Sequence, residues 1–190
     1  MDVTILINKD HPLPENFRPD GLIDLYSVEK RRFFLPPQQM LLNAEAAQAL
    51  NRMCADAEQE EGLTDYFIYS AWRSHEAQKE IYAASQSGYA ALPGCSEHEA
   101  GLAIDIDYAG DDPELVYTDW LQKNSWRFGY ILRYPREREH ITGIPYERWH
   151  FRYVGEELAT VLHENGWTLE EYYDRSIVRR DPYDQAGSAG

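Results

Sequence analysis

The chain has 190 residues, enough for one domain with a real core, and 43% of them are hydrophobic, which separates it from disordered polymers. Lys and Arg number 18 against 33 Asp and Glu, a formal charge of −15. A surface this acidic repels nucleic acid and anionic membrane, so neither is expected as a partner.

Residues 1–42 are rich in proline (H-P-L-P-E-N-F-R-P, F-F-L-P-P-Q) and read as irregular, turn-rich chain. Asn43 is placed to cap a helix running to about Glu60, with Ala47, Leu50, Met53 and Cys54 on one stripe. D-Y-F-I-Y-S-A (65–71) predicts a buried strand, and Ser74 then caps a helix from His75 to about Ala84. A loop follows over 86–96. G-L-A-I-D-I-D (101–107) alternates: Leu102, Ile104 and Ile106 take one face, and Ala103, Asp105 and Asp107 the other. A helix is expected over 113–126, a strand over 127–134 and a polar loop over 137–146. W-H-F-R-Y-V (149–154) alternates again, so His150 and Arg152 share a face opposite Trp149, Phe151 and Tyr153. Helices are expected over 155–165 and 168–175, the second opened by Thr168 with Glu170 and Glu171. Without repeats or a linker, these elements make one α+β domain over 1–180, and 181–190 reads as a flexible tail.

Two short segments carry the chemistry. S-E-H-E-A-G-L-A-I-D (96–105) offers His98 and Asp105, and E-R-W-H (147–150) offers His150 with Glu147 three residues before it. An aspartate inside a strand needs a partner for its charge; a metal is one and an arginine is the plainer alternative. Three N/O donors with a fourth position open is what a catalytic zinc needs, and calcium or magnesium would ask for more oxygens. Glu147 cannot share the strand face of His150 by alternation, so it lies in the turn after Pro145, where it can act as general base on the attacking water. Arg73, at the end of the 65–71 strand, can stabilise a tetrahedral oxyanion or hold a substrate carboxylate, and a surface arginine would have the same spacing. Gln78, about one helical turn further on, can face the same cleft, and Ser96 can hydrogen-bond a substrate terminus. No G-x-S-x-G elbow surrounds Ser96, so no serine nucleophile is read there. His11, His75, His140 and His163 have no partner pattern.

On these residues the chain resembles the zinc D,D-peptidases of the VanX, VanY and VanXY type, which cut D-alanyl-D-alanine. S-x-H-x-x-G-x-A-x-D matches at Ser96, His98, Gly101, Ala103 and Asp105, and E-x-W-H at Glu147, Trp149 and His150. L-I-N-K-D-H-P-L-P (6–14), S-A-W-R-S-x-x-x-Q (70–78), G-Y-I-L-R-Y-P (129–135), H-F-R-Y-V-G (150–155) and W-T-L-E-E-Y (167–172) also look like family segments. A-L-P-G-C-S-E-H (91–98) resembles most the bifunctional VanXY type. The resemblance implies a compact α+β domain with a central antiparallel sheet flanked by helices, of the D,D-peptidase/hedgehog-like kind. It implies one zinc held by His98, Asp105 and His150, Glu147 as catalytic base, Arg73 at the oxyanion, and Ser96 and Gln78 at the substrate. One departure is S-A-W-R-S (70–74) where the family often has S-G-Y-R-S; Trp72 then reshapes a wall of the cleft.

The implied activity is hydrolysis of D-Ala-D-Ala dipeptide, removal of the terminal D-Ala from a peptidoglycan precursor pentapeptide, or both, with loss of the glycopeptide-antibiotic target. The alternatives are a peptidoglycan endopeptidase or L,D-carboxypeptidase with the same zinc site, or a zinc- or peptidoglycan-binding module without turnover. The retained Glu147 argues against the last, since a binder needs no base. The start, M-D-V-T-I-L-I-N-K-D, has no basic region followed by a long apolar run, so neither a signal peptide nor a membrane span is read there. A cytoplasmic protein is expected if the chain is complete, with Cys54 and Cys95 reduced and buried.

Overall fold

Two three-residue strands open the fold, β1 (Leu22–Asp24) and β2 (Leu41–Asn43), paired antiparallel. They correct the expectation of an irregular first 42 residues; strands this short leave no alternation to detect. The computed structural model describes residues 2–85, 90–110 and 115–180, so the 181–190 tail expected from sequence lies outside the described residues.

Asn43 ends β2 and starts α1 (Ala44–Glu61), accepting hydrogen bonds from the Glu45 and Ala46 amides at 3.0 and 3.3 Å. Gly62, at φ +70°, closes the helix in the left-handed region that an L side chain avoids. The expected apolar stripe is buried, and Leu50 and Met53 join the main core. β3 (Tyr66–Ser70) and α2 (His75–Ala84) follow, with Ser74 Oγ accepting from the Ala77 amide at 3.1 Å.

A turn of 3-10 helix (Glu97–Ala100) leads into β4 (Ala103–Tyr108). The expected alternation holds: Leu102, Ile104 and Ile106 are buried in the main core, while Asp105 and Asp107 stand on the other face. Of the helix expected over 113–126, residues 113 and 114 lie outside the described residues, α3 covers Val116–Asn124, and Ser125–Phe128 continues as 3-10 helix. β5 (Tyr130–Leu132) is shorter than the strand expected over 127–134. Gly129 is the reason: it turns the chain at φ +80°, where an added Cβ would lie 2.8 Å from the Tyr153 ring and 2.9 Å from the Gly155 backbone. The polar 137–146 segment contains a single helical turn, α4 (Glu139–Thr142).

β6 (His150–Tyr153), α5 (Glu156–Asn165) and α6 (Leu169–Arg180) complete the order. Thr168 and Glu171 form a reciprocal cap on α6: the Thr168 amide donates to Glu171 Oε2 at 2.8 Å, and the Glu171 amide to Thr168 Oγ1 at 3.3 Å. Trp149 falls just outside β6 and is exposed, unlike Phe151 and Tyr153, so only part of that expected apolar face is in the core.

The second sheet has the order β3-β4-β6-β5, all neighbours antiparallel. Its β4–β6 register sets Asp105 directly opposite His150. Side chains on opposed residues of an antiparallel pair project to one face, so this pairing alone brings two of the candidate ligands together. The mixed architecture and central antiparallel sheet agree with the expected α+β class. No helix among the described residues is long and apolar enough to cross a membrane.

Candidate active site

The third donor arrives from the 3-10 turn before β4. Gly101 closes that turn at φ +67°, its amide donating to the His98 carbonyl at 3.0 Å. The backbone conformation favours glycine here, and a Cβ would in addition make the Leu22 side chain shift. The Arg73 amide donates to the same His98 carbonyl at 3.4 Å, tying the end of β3 to the turn. Three adjacent charged or polar residues on this turn are all buried, and each faces different partners. Glu97 meets Arg133 and Arg152, His98 faces Asp105, and Glu99 pairs with His75 at 2.7 Å and accepts from the Gly94 amide at 2.8 Å. His75, for which the sequence offered no partner, therefore has one.

His98, Asp105 and His150 converge, with one donor atom from each lying within 4.8 Å of the others. His98 Nδ1 donates to the Ala71 carbonyl at 2.7 Å, which leaves Nε2 as the lone pair. That Nε2 is buried, 3.3 Å from Asp105 Oδ1, yet makes no hydrogen bond. A lone pair facing an anionic oxygen at this distance is unfavourable unless a cation stands between them. His150 Nδ1 lies 3.1 Å from the same Asp105 oxygen. Nitrogen and oxygen donors at about 2.0–2.2 Å in a zinc tetrahedron stand roughly 3.3–3.5 Å apart, so both contacts suit zinc. The donor set and the orphaned nitrogen fit the ion.

Electrostatics around the three donors are consistent with this. Burial opposes the charge on Asp105, but His98 and His150 outweigh it and hold its carboxyl well below the ordinary range. Burial pushes His98 down, toward the neutral form a ligand needs. Burial also opposes protonation of His150, yet hydrogen bonds to Asp105 and Glu97 push it up to about 9. A cation beside Nδ1 would take the place of that proton.

Glu147 sits in the turn before β6, as its spacing required, with Oε2 3.7 Å from His150 Nδ1. Its carboxyl is pushed up by burial and by the nearby Asp105 and Glu97, against the pull of His150 and Arg73. Raising a carboxylate brings its basicity closer to neutrality, which suits a general base. Arg73 is half-buried in the field of Asp105 and Glu147, and its Nε has no hydrogen-bond partner. Trp72 and Arg73 line a cavity of about 200 Å³ with Leu13, Phe17, His75 and Glu99. Ser96 is buried beside His98 at the start of the 3-10 turn. Gln78 is buried, its Nε2 donating to the Ala91 carbonyl at 2.7 Å and its Oε1 left without a partner. Residues 86–89, part of the loop expected over 86–96, lie outside the described residues.

Several residues at the site were not singled out in the sequence. Tyr134 is buried with its ring 4.9 Å from the His150 ring. Glu97, Arg133, Arg152 and Glu170 form a buried charge cluster behind His150. The one available signal was Arg152, which shares the inward face of β6 with His150 and so needs a carboxylate that strand patterning does not identify.

Comparison with known proteins places this geometry in context. The family profile described as VanY: D-alanyl-D-alanine carboxypeptidase matches residues 39–156. The bifunctional D-Ala-D-Ala dipeptidase and D-Ala-D-Ala carboxypeptidase VanXYC of Enterococcus gallinarum is 35% identical over 191 residues, covering 92% of this chain and 95% of its own. Among solved structures, the LdcB LD-carboxypeptidase superposes with a TM-score of 0.77 at 35% identity, over 89% of this chain and 84% of its own. A vancomycin-resistance D,D-pentapeptidase VanY in complex with Zn(II) superposes with a TM-score of 0.73 at 32% identity, over 91% of this chain and 99% of its own.

Proposed function

Because the chain belongs to the VanY family of D-alanyl-D-alanine carboxypeptidases, we propose that it is a zinc-dependent D,D-peptidase acting on D-Ala-D-Ala termini. Its substrates are the free dipeptide, the peptidoglycan precursor pentapeptide, or both. The observation that carries the reading is the convergence of His98, Asp105 and His150, with Glu147 3.7 Å from His150. Removing the terminal D-Ala takes away the target of glycopeptide antibiotics, the role that the resistance enzymes among its relatives carry in their names.

In this reading His98 Nε2, Asp105 and His150 Nδ1 hold one zinc per chain. The ion, when bound, supplies Lewis acidity toward the scissile carbonyl and an attacking water. Glu147 takes the proton from that water and returns it to the leaving amine. Arg73 places its guanidinium against the oxyanion; its buried, unpartnered Nε supports a role as donor to a group brought by the substrate. Gln78 Oε1, a buried acceptor without a donor, and Ser96, beside the metal ligand, contact the substrate. The enzyme meets its substrates in the cytoplasm before their export, a placement supported by two free, buried cysteines, Cys54 and Cys95.

A second reading, L,D-carboxypeptidase, is favoured by the likeness to LdcB, whose superposition is as good as that of the D,D-peptidase. The deciding experiment is release of D-alanine from D-Ala-D-Ala, from precursor pentapeptide and from a tetrapeptide ending in an L,D bond, each with a chelator control. Chelator-sensitive release from the first two supports the D,D reading, and release from the tetrapeptide alone replaces it with the second. No release from any, with zinc bound, leaves a binding module.

A further inference from the structure

Behind the metal ligands lies a charged cluster that the proposed chemistry does not use. Glu97 is fully buried. Its Oε1 accepts from Arg133 Nε at 2.7 Å and Arg152 Nη1 at 2.9 Å. Arg133 Nη1 donates onward to Glu170 Oε2 of α6 at 2.9 Å. Arg152 Nη2 donates to the Val3 and Ile5 carbonyls at 3.0 and 2.8 Å. Two carboxylates and two guanidiniums make the cluster neutral as a set. What it does is fix one oxygen. With Oε1 saturated by two guanidiniums, Oε2 points at His150 Nε2, 3.3 Å away.

We propose that Glu97 is a positioning residue for the metal centre, holding the proton of His150 on Nε2 so that Nδ1 presents its lone pair beside Asp105. The inference rests on the reading of His150 as a zinc ligand. The two histidines show why such a device is needed, because they face the site with opposite nitrogens. His98 keeps its proton on Nδ1 through the Ala71 carbonyl and offers Nε2. His150 must do the reverse, and Oε2 of Glu97 is the acceptor that makes it do so. The two arginines anchor the carboxylate from behind, leaving the histidine as the direction for its remaining lone pairs. Partners of this kind around a ligating imidazole set its tautomer, and their loss weakens metal binding by about 10–100-fold.

Glu97→Gln is the direct test. The amide keeps its carbonyl oxygen on the arginines and turns its NH2 toward His150, which favours the wrong tautomer. Glu97→Asp is the second variant: it keeps the charge and the arginine pairing but withdraws the carboxylate by one methylene. Zinc affinity is measured by competition with a fluorescent chelator. The His150 ring nitrogens of the zinc-loaded protein are followed by 15N NMR. The expected result is affinity weaker by about 10–100-fold in both variants and loss of the deshielded Nε2 proton. Glu170→Gln, which weakens a partner of Arg133 and of Asn8 and leaves Glu97 in place, should leave zinc affinity within twofold. Affinity within twofold of the parent for whichever of the two Glu97 variants folds, with an unchanged His150 proton, overturns the proposal and leaves the metal site standing. Failure of the parent protein itself to bind zinc overturns both.

Discussion

The carbonyl of Ala71 accepts from His98 Nδ1 at 2.7 Å, and this contact, at the end of β3, turns Nε2 of the histidine toward Asp105. Metal binding should therefore depend on His98 and His150 about equally, through different nitrogens. His98→Ala and His150→Ala are each expected to lose zinc through dialysis that leaves the parent at one ion per chain. Metal content by mass spectrometry checks this, and a fully loaded His150→Ala protein would reject the ligand set.

In the proposed function Glu147 is a base and not a ligand. Glu147→Ala should keep zinc at one per chain and lower kcat by about 10²–10⁴-fold. Near-parental turnover in that variant removes Glu147 from the mechanism.

Arg73 carries two readings that the sequence left open, and kinetics separate them. As the oxyanion donor, its replacement by alanine lowers kcat by roughly 10²–10³-fold with KM little changed. As an anchor for a substrate carboxylate, the same change raises KM with kcat kept. The first outcome is expected, because its unpartnered Nε is buried in the field of Asp105 and Glu147, at the site of reaction.

Gly101→Ala should destabilise the fold by about 1–3 kcal/mol, from a strained φ of +67° and from the collision with Leu22. For a chain of this size that is a drop of several degrees in Tm. A thermal scan showing the same Tm as the parent would mean the turn relaxes freely.

Glu97 also sets a pH dependence. Burial pushes its carboxyl up, but Arg133 and Arg152 outweigh this and hold it far below 4.5, its ordinary value. A group depressed in the folded state stabilises above its unfolded pKa, and that stability drains away as pH falls below about 4.5. Urea unfolding in chelator, which keeps zinc release out of the comparison, should show Glu97→Gln about 3–5 kcal/mol less stable at pH 7. The gap should narrow between pH 5 and 3; a constant gap would contradict the ion pairing.

Two of the three candidate ligands stand in local strand patterns. Asp105 takes the polar phase of the β4 alternation and His150 the face of β6 opposite Phe151, while their pairing comes from the β4–β6 register. Glu97 had no such pattern. It lies between Ser96 and His98 as if a spacer, and its arginines come from β6 and the segment after β5, which only the fold brings to it. His75 and Glu99 were hidden for the same reason, since one is the first residue of α2 and the other belongs to the turn before β4. The strand expected over 127–134 ran too long because Gly129 was read as part of an apolar segment, whereas its positive φ marks a corner.

Arg152 grips the carbonyls of Val3 and Ile5, and Arg133 grips Glu170 of α6, so residues 3–5 and α6 are both fastened to the carboxylate behind His150. Peeling back either segment costs a buried arginine part of its partners and leaves it Glu97. Loosening of the first residues or of α6 is thereby expected to reach the candidate metal site through this cluster instead of remaining local fraying.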